Sequence, residues 1–133
     1  MAQIQNPIRL FNAVTLTSAF SGNVSTVVST AGTDQVTFYG NFTPGTNGDN
    51  VDIQLEFSHD GSTWYVEQAA STSGGTTTVV DNIYTRDGAA AATSYKFRFT
   101  LPVSDKHMRV SARYTGTGAG TLSLHVLTSE LYE

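Results

Sequence analysis

The stretch VDIQLEF, residues 51–57, puts Val51, Ile53, Leu55 and Phe57 on one side of an extended chain and Asp52, Gln54 and Glu56 on the other. An apolar period of two has a buried face only in a strand, because a helix would scatter the same residues around its circumference. The pattern returns in YKFRFTL, where Tyr95, Phe97, Phe99 and Leu101 alternate with Lys96, Arg98 and Thr100. It returns again in HMRVSARY, with Met108, Val110, Ala112 and Tyr114 inward, and in TLSLHVL, with Leu122, Leu124 and Val126 inward. No segment sustains a helical stripe.

Weaker strand signals lie at 9–17, 23–29, 35–42, 63–67 and 76–84, separated by turn residues. Roughly eight or nine short strands at such spacing predict an all-β antiparallel sandwich, immunoglobulin-like or jelly-roll. Thr (20 residues) and Ser (13) outnumber the helix formers, which favours the same class. The Gly-rich TGTGAG at 115–120 reads as the turn of a hairpin joining the last two strands.

At 133 residues one core is expected, over residues 10–133, preceded by a polar, unpatterned arm at 1–9 that would order against a neighbour. Small-residue loops are expected at 43–50, 69–75 and 86–94. The chain has no cysteine, so disulfides, thiolate metal sites and cysteine nucleophiles are excluded. No apolar run reaches the roughly 20 residues that span a bilayer, and the N-terminus does not read as a secretory signal, so no membrane partner is expected.

A net charge of -4 argues against nucleic acid as a partner. The charge is also divided along the chain: from Asp34 to Glu67 every ionised group is acidic, and most of the basic residues follow from Arg86 onward. If the 51–57 strand lies beside the 108–114 strand, Asp52 and Glu56 face Arg109 and Arg113.

The cluster Ser58-His59-Asp60 has the residue types of a catalytic relay, but three adjacent side chains on extended backbone cannot line up as nucleophile, base and orienter. Asp60-Gly61 instead signals a two-residue chain reversal, with Trp64 returning as a core anchor facing Leu55 or Phe57. Asn47, Asp49, Asn50 and Asp52 supply oxygen ligands of the kind calcium takes, without the spacing of an EF-hand loop. His107 and His125 would approach each other across the final hairpin, and two histidines alone make no zinc site. No phosphate loop, dinucleotide fingerprint, HExxH or G-x-S-x-G motif is present, and the expectation is no enzyme, no catalytic residue, no metal and no cofactor.

The strand and turn VDIQLEFSHDGSTWYVEQ, followed by a small-residue insert and by KHMRVSARYTGTGAGTLSLHV, resembles a pattern in small structural proteins of tailed bacteriophage virions. The likeness covers roughly residues 51–127 and is one of folding signature. It implies a virion component made in the host cytoplasm, such as a capsid decoration protein bound to the major capsid protein or other virion proteins and commonly trimeric. On that reading the assembly contacts fall to Gln3, Gln5, Asn6 and Pro7 of the arm and to Asn47, Asp49, Arg86 and Asp87 of the loops, with Asp60, Gly61 and Trp64 as fold anchors. The competing expectations are a carbohydrate-binding module stacking sugars on Tyr39, Trp64, Tyr65 or Tyr84, a tail-associated adhesion domain, and a secreted or surface-layer adhesion domain using calcium at Asp49 and Asp52.

Overall fold

The computed structural model describes residues 2–4 and 7–131. The antiparallel sandwich expected from the alternation is what forms. Its strands are β1 (Ala2–Ile4), β2 (Ile8–Thr15), β3 (Val28–Ser29), β4 (Gln35–Thr43), β5 (Asn50–Ser58), β6 (Tyr65–Val66), β7 (Gln68–Ser73), β8 (Thr76–Asp81), β9 (Ile83–Asp87), β10 (Tyr95–Pro102), β11 (His107–Thr115) and β12 (Thr121–Leu131). They outnumber the eight or nine expected because β1 falls in the segment expected as an arm, β7 falls in one expected as a loop, and the stretch 76–84 divides into β8 and β9.

Sheet A runs β12-β4-β10, with β1 and β2 both along β12. Sheet B runs β3-β11-β5, with β6 and β9 both along β5. Between them lie Val36, Phe38 and Phe42 of β4 with Leu122, Leu124 and Val126 of β12, against Val51, Ile53 and Leu55 of β5 with Met108, Val110 and Ala112 of β11. All are fully buried, and each larger side chain contributes about 1.5–3 kcal/mol over its exposed state. These are the inward positions that alternation assigns.

The final hairpin does not exist. β11 belongs to sheet B and β12 to sheet A, so TGTGAG carries the chain across the sandwich. Alternation tells which face of a strand is apolar, and that is the same for an arch over the core as for a hairpin beside it. The segment 69–75 departs from expectation in the opposite sense: it forms β7 and the Gly74-Gly75 turn of a β7–β8 hairpin. Both glycines have positive φ, 58° and 81°, as a tight two-residue turn requires.

At one side of the sandwich the two sheets meet through rings. Phe99 of β10 stacks on Phe38 and on Tyr84 of β9, each at 4.9 Å between centroids. The Tyr84 hydroxyl donates to Glu67 Oε1, and burial, then this bond to a carboxylate, raises its pKa well above the ordinary phenol value.

Candidate functional site

The turn after β5 is built by Ser58 and Asp60. Buried Ser58 Oγ accepts the Gly61 N–H at 2.8 Å and donates to Asp60 Oδ1 at 3.0 Å. The same Asp60 oxygen accepts the N–H groups of Ser62 at 2.9 Å and Thr63 at 2.8 Å. Those two backbone donors hold the Asp60 carboxyl far below the usual carboxylate range. His59 is turned to solvent, 4.0 Å from Asp60 Oδ2 and beside Tyr65. Ser58 thus gives its proton to Asp60 and none to the imidazole, which is a loop-folding arrangement and not a relay.

The reversal is longer than the two-residue turn expected, because pairing resumes only at Phe57 with Tyr65 and Glu56 with Val66. Asp60 organises a loop from 59 to 64. Trp64 consequently lands outside the core, half-buried, with the Arg109 guanidinium 4.4 Å above its ring. It anchors the loop to sheet B by a cation–π contact.

Across the outer face of sheet B the expected charge ladder is present in register. Arg109 pairs with Glu56 and Arg113 with Asp52 in the β11–β5 ladder. Arg109 Nη2 lies 3.1 Å from Glu56 Oε1, and Arg113 Nε lies 3.0 Å from Asp52 Oδ2. Ser111 donates to Glu56 at 2.7 Å and Thr85 to Asp52 at 2.8 Å. The Phe20 ring covers Arg113 as Trp64 covers Arg109. This face is electrically closed.

Of the residues assigned to assembly, Asp49 is placed differently from the expectation. It is 1% exposed, and its carboxylate accepts the N–H groups of Thr117 at 3.0 Å and Gly118 at 3.1 Å. It ties the loop between β4 and β5 to the loop between β11 and β12, so it cannot reach a neighbour. A Cβ at Gly116, whose φ is +131°, would overlap Asp49 Oδ1. The calcium reading fails for the same reason: Asp49 faces N–H donors and Asp52 faces a guanidinium and a hydroxyl. Among the described residues no three His, Asp or Glu side chains gather as a metal would need.

Asn47 is exposed and its Oδ1 accepts the Ala91 N–H at 2.8 Å, holding the 86–94 loop. Arg86 lies over Tyr95 and donates from Nε to the Lys96 carbonyl at 3.3 Å, joining β9 to β10 across the seam. Asp87 is exposed at the end of β9, and Pro7 is exposed ahead of β2. Gln3 pairs with Glu130 through β1, so the described part of the 1–9 arm follows β12 of its own chain. Gln5 and Asn6 lie outside the described residues. His107 and His125 stand in different sheets, because the hairpin expected to bring them together is an arch.

The four rings proposed as a sugar platform do not share a face. Tyr39 is on the outside of sheet A, Trp64 lies under Arg109, Tyr65 points outward from the 59–64 turn, and Tyr84 sits in the seam.

The most conspicuous surface is a hairpin whose second strand falls in the expected 76–84 strand and whose first strand and turn fall in the segment expected as a loop. All twelve residues of the β7–β8 hairpin are exposed, and the pair belongs to neither sheet. β8 carries five consecutive β-branched residues, Thr76 to Val80, with Val79 66% and Val80 44% exposed. A lone two-stranded ribbon is marginal in water, since it has no apolar face to bury. The Gly-Gly pair between two Thr/Ser/Val runs is the signal that marks it. The chain matches no family model, no curated protein and no solved structure.

Proposed function

We propose that this chain is a non-enzymatic virion structural protein, a decoration subunit that binds the head of a tailed phage and stabilises it through contacts with the major capsid protein and with further copies of itself, as a trimer. The observation that carries the reading is the β7–β8 hairpin. A ribbon of Thr, Ser and Val that buries nothing in its own chain has the composition of a contact that is completed by another surface. The resemblance of the Asp60 turn and of the β11–β12 stretch to small phage structural proteins points the same way.

The test is light scattering of the purified chain on a sizing column, followed by cosedimentation with capsid shells. A trimer that pellets with shells supports the reading. A strict monomer that ignores every shell overturns it.

A further inference from the structure

The outer face of sheet A is the opposite of the closed face of sheet B. Register sets Arg98 of β10 beside Tyr39 of β4, Tyr39 beside His125 of β12, and His125 beside Arg9 of β2. The neighbouring row is Lys96, Asn41 and Ser123. Three of the chain's seven Lys and Arg residues therefore occupy one sheet face of a molecule whose net charge is -4. Among the described residues none of the three is in an ion pair, whereas both arginines on the outer face of sheet B are.

These rows enclose a shallow depression of about 600 Å³, lined by Tyr39, Asn41, Lys96, Arg98, Ser123 and His125. Tyr39 is 40% exposed, with the Arg98 guanidinium 5.5 Å from its ring centre. Arg9 Nε donates to His125 Nε2 at 3.3 Å. Asn41 Oδ1 is shielded from water and accepts from no described group. A buried acceptor without a donor is costly.

We propose that this depression binds a carboxylate-bearing sugar, with Lys96 and Arg98 taking the carboxylate, Tyr39 the apolar face of the ring, and Asn41 and Ser123 its hydroxyls. Phosphate or sulfate would answer the cations but brings no ring for Tyr39. A nucleic acid would need a longer basic track than three cations on an acidic chain supply. The site is independent of the hairpin and of the assembly reading, since it lies on sheet A and neither β7 nor β8 contributes to it.

The experiment is an amide NMR titration of the full chain with a tetramer of galacturonic acid, alongside a neutral maltotetraose, inorganic phosphate and a short oligothymidylate. The uronate should shift the amides of Tyr39, Asn41, Lys96 and Arg98 at concentrations where the other three do not. Lys96→Gln combined with Arg98→Gln should weaken it by about tenfold or more. Both side chains are exposed, so an unchanged melting curve will show that the variant still folds. Tyr39→Ala should weaken it too while leaving salt dependence in place. The proposal is overturned if the uronate leaves this face untouched, if the neutral sugar binds equally well, or if phosphate or the oligonucleotide binds as tightly.

Discussion

Arg113 Nε and Asp52 Oδ2 are 3.0 Å apart, and the residues that carry them are direct cross-strand partners at the centre of sheet B. Asp52 is only 6% exposed, and its other oxygen is taken by the Thr85 hydroxyl. Removing the arginine therefore strands a carboxylate that water reaches poorly. Arg113→Ala should destabilise the fold by about 1–3 kcal/mol in urea denaturation. Combined with Asp52→Asn, the double variant should lose less than the sum of the singles, by at least about 0.5 kcal/mol. Strict additivity would mean that apolar packing alone sets this register.

Asp49 and Gly116 form a second coupled pair, this time at one end of the sandwich. Gly116→Ala forces a Cβ against Asp49 Oδ1 at a backbone angle that other residues avoid, and should cost on the order of 1–3 kcal/mol. Asp49→Ala leaves the Thr117 and Gly118 N–H groups without their acceptor and should cost a similar amount. With the carboxylate gone the alanine has room, so the double variant should be more stable than the two losses added together. Thermal melts of the four proteins decide the matter.

The 59–64 loop should respond to acid in an unusual range. Asp60 in the folded loop has its pKa depressed by the N–H groups of Thr63 and Ser62, so its stabilising contribution is present above the ordinary aspartate value of about 3.9 and fades only as pH falls toward the lowered value. Exchange protection of the Ser62 and Thr63 amides should persist through pH 4 and decline below it. In Asp60→Asn that acid-dependent decline should vanish. Loss of protection centred near pH 4 in the native chain would show that the carboxylate is not held as described.

The β7–β8 hairpin offers the cleanest separation of folding from assembly. Replacing residues 68–81 by Gly-Gly keeps Glu67 and Asn82, whose backbone bond at 2.9 Å closes the hairpin base. The melting temperature should move by less than about 5 °C, the equivalent of roughly 1 kcal/mol in a domain of this size. Cosedimentation with capsid shells should be lost. A shortened chain that still pellets with shells would relieve the hairpin of any part in assembly.

Next to the base of that hairpin, Tyr84, bonded to Glu67, makes the seam sensitive to alkali. Its folded pKa is raised, so the neutral phenol contributes below the ordinary value of about 10 and the contribution is lost as pH climbs beyond it. Unfolding midpoints of the native chain should fall above pH 10 more steeply than those of Tyr84→Phe. Parallel curves for the two would indicate that the hydroxyl is not sequestered.

Much of this could be read from residue order. Alternation places Val51, Ile53, Leu55, Met108, Val110 and Ala112 in the core, and the division of charge pairs β5 with β11 in the correct register. The sequence is silent where partners are chosen by space instead of pattern. Gly116 and Gly118 look like turn residues, yet a side chain at either would collide with Asp49 or Thr46, so they make room for the loop between β4 and β5. Trp64 looks like a core residue, but the loop that Asp60 folds delivers it to the face where Arg109 lies. The sheet A depression is legible only after three strands are in register, because Lys96, Asn41 and Ser123 are far apart in the chain.

The crossing of β11 and β12 to opposite sheets has a consequence in time. β4 and β5 are also successive strands that go to opposite sheets, so each finds its central neighbour, β12 or β11, in the distant half of the chain. Little of the core can close locally, and a chain of this contact pattern belongs among the millisecond-to-second folders. A polypeptide cut short after β10 would hold every acid of the charge ladder and none of its arginines, and the core residues of β4 and β5 would lack those of β12 and β11 beside them.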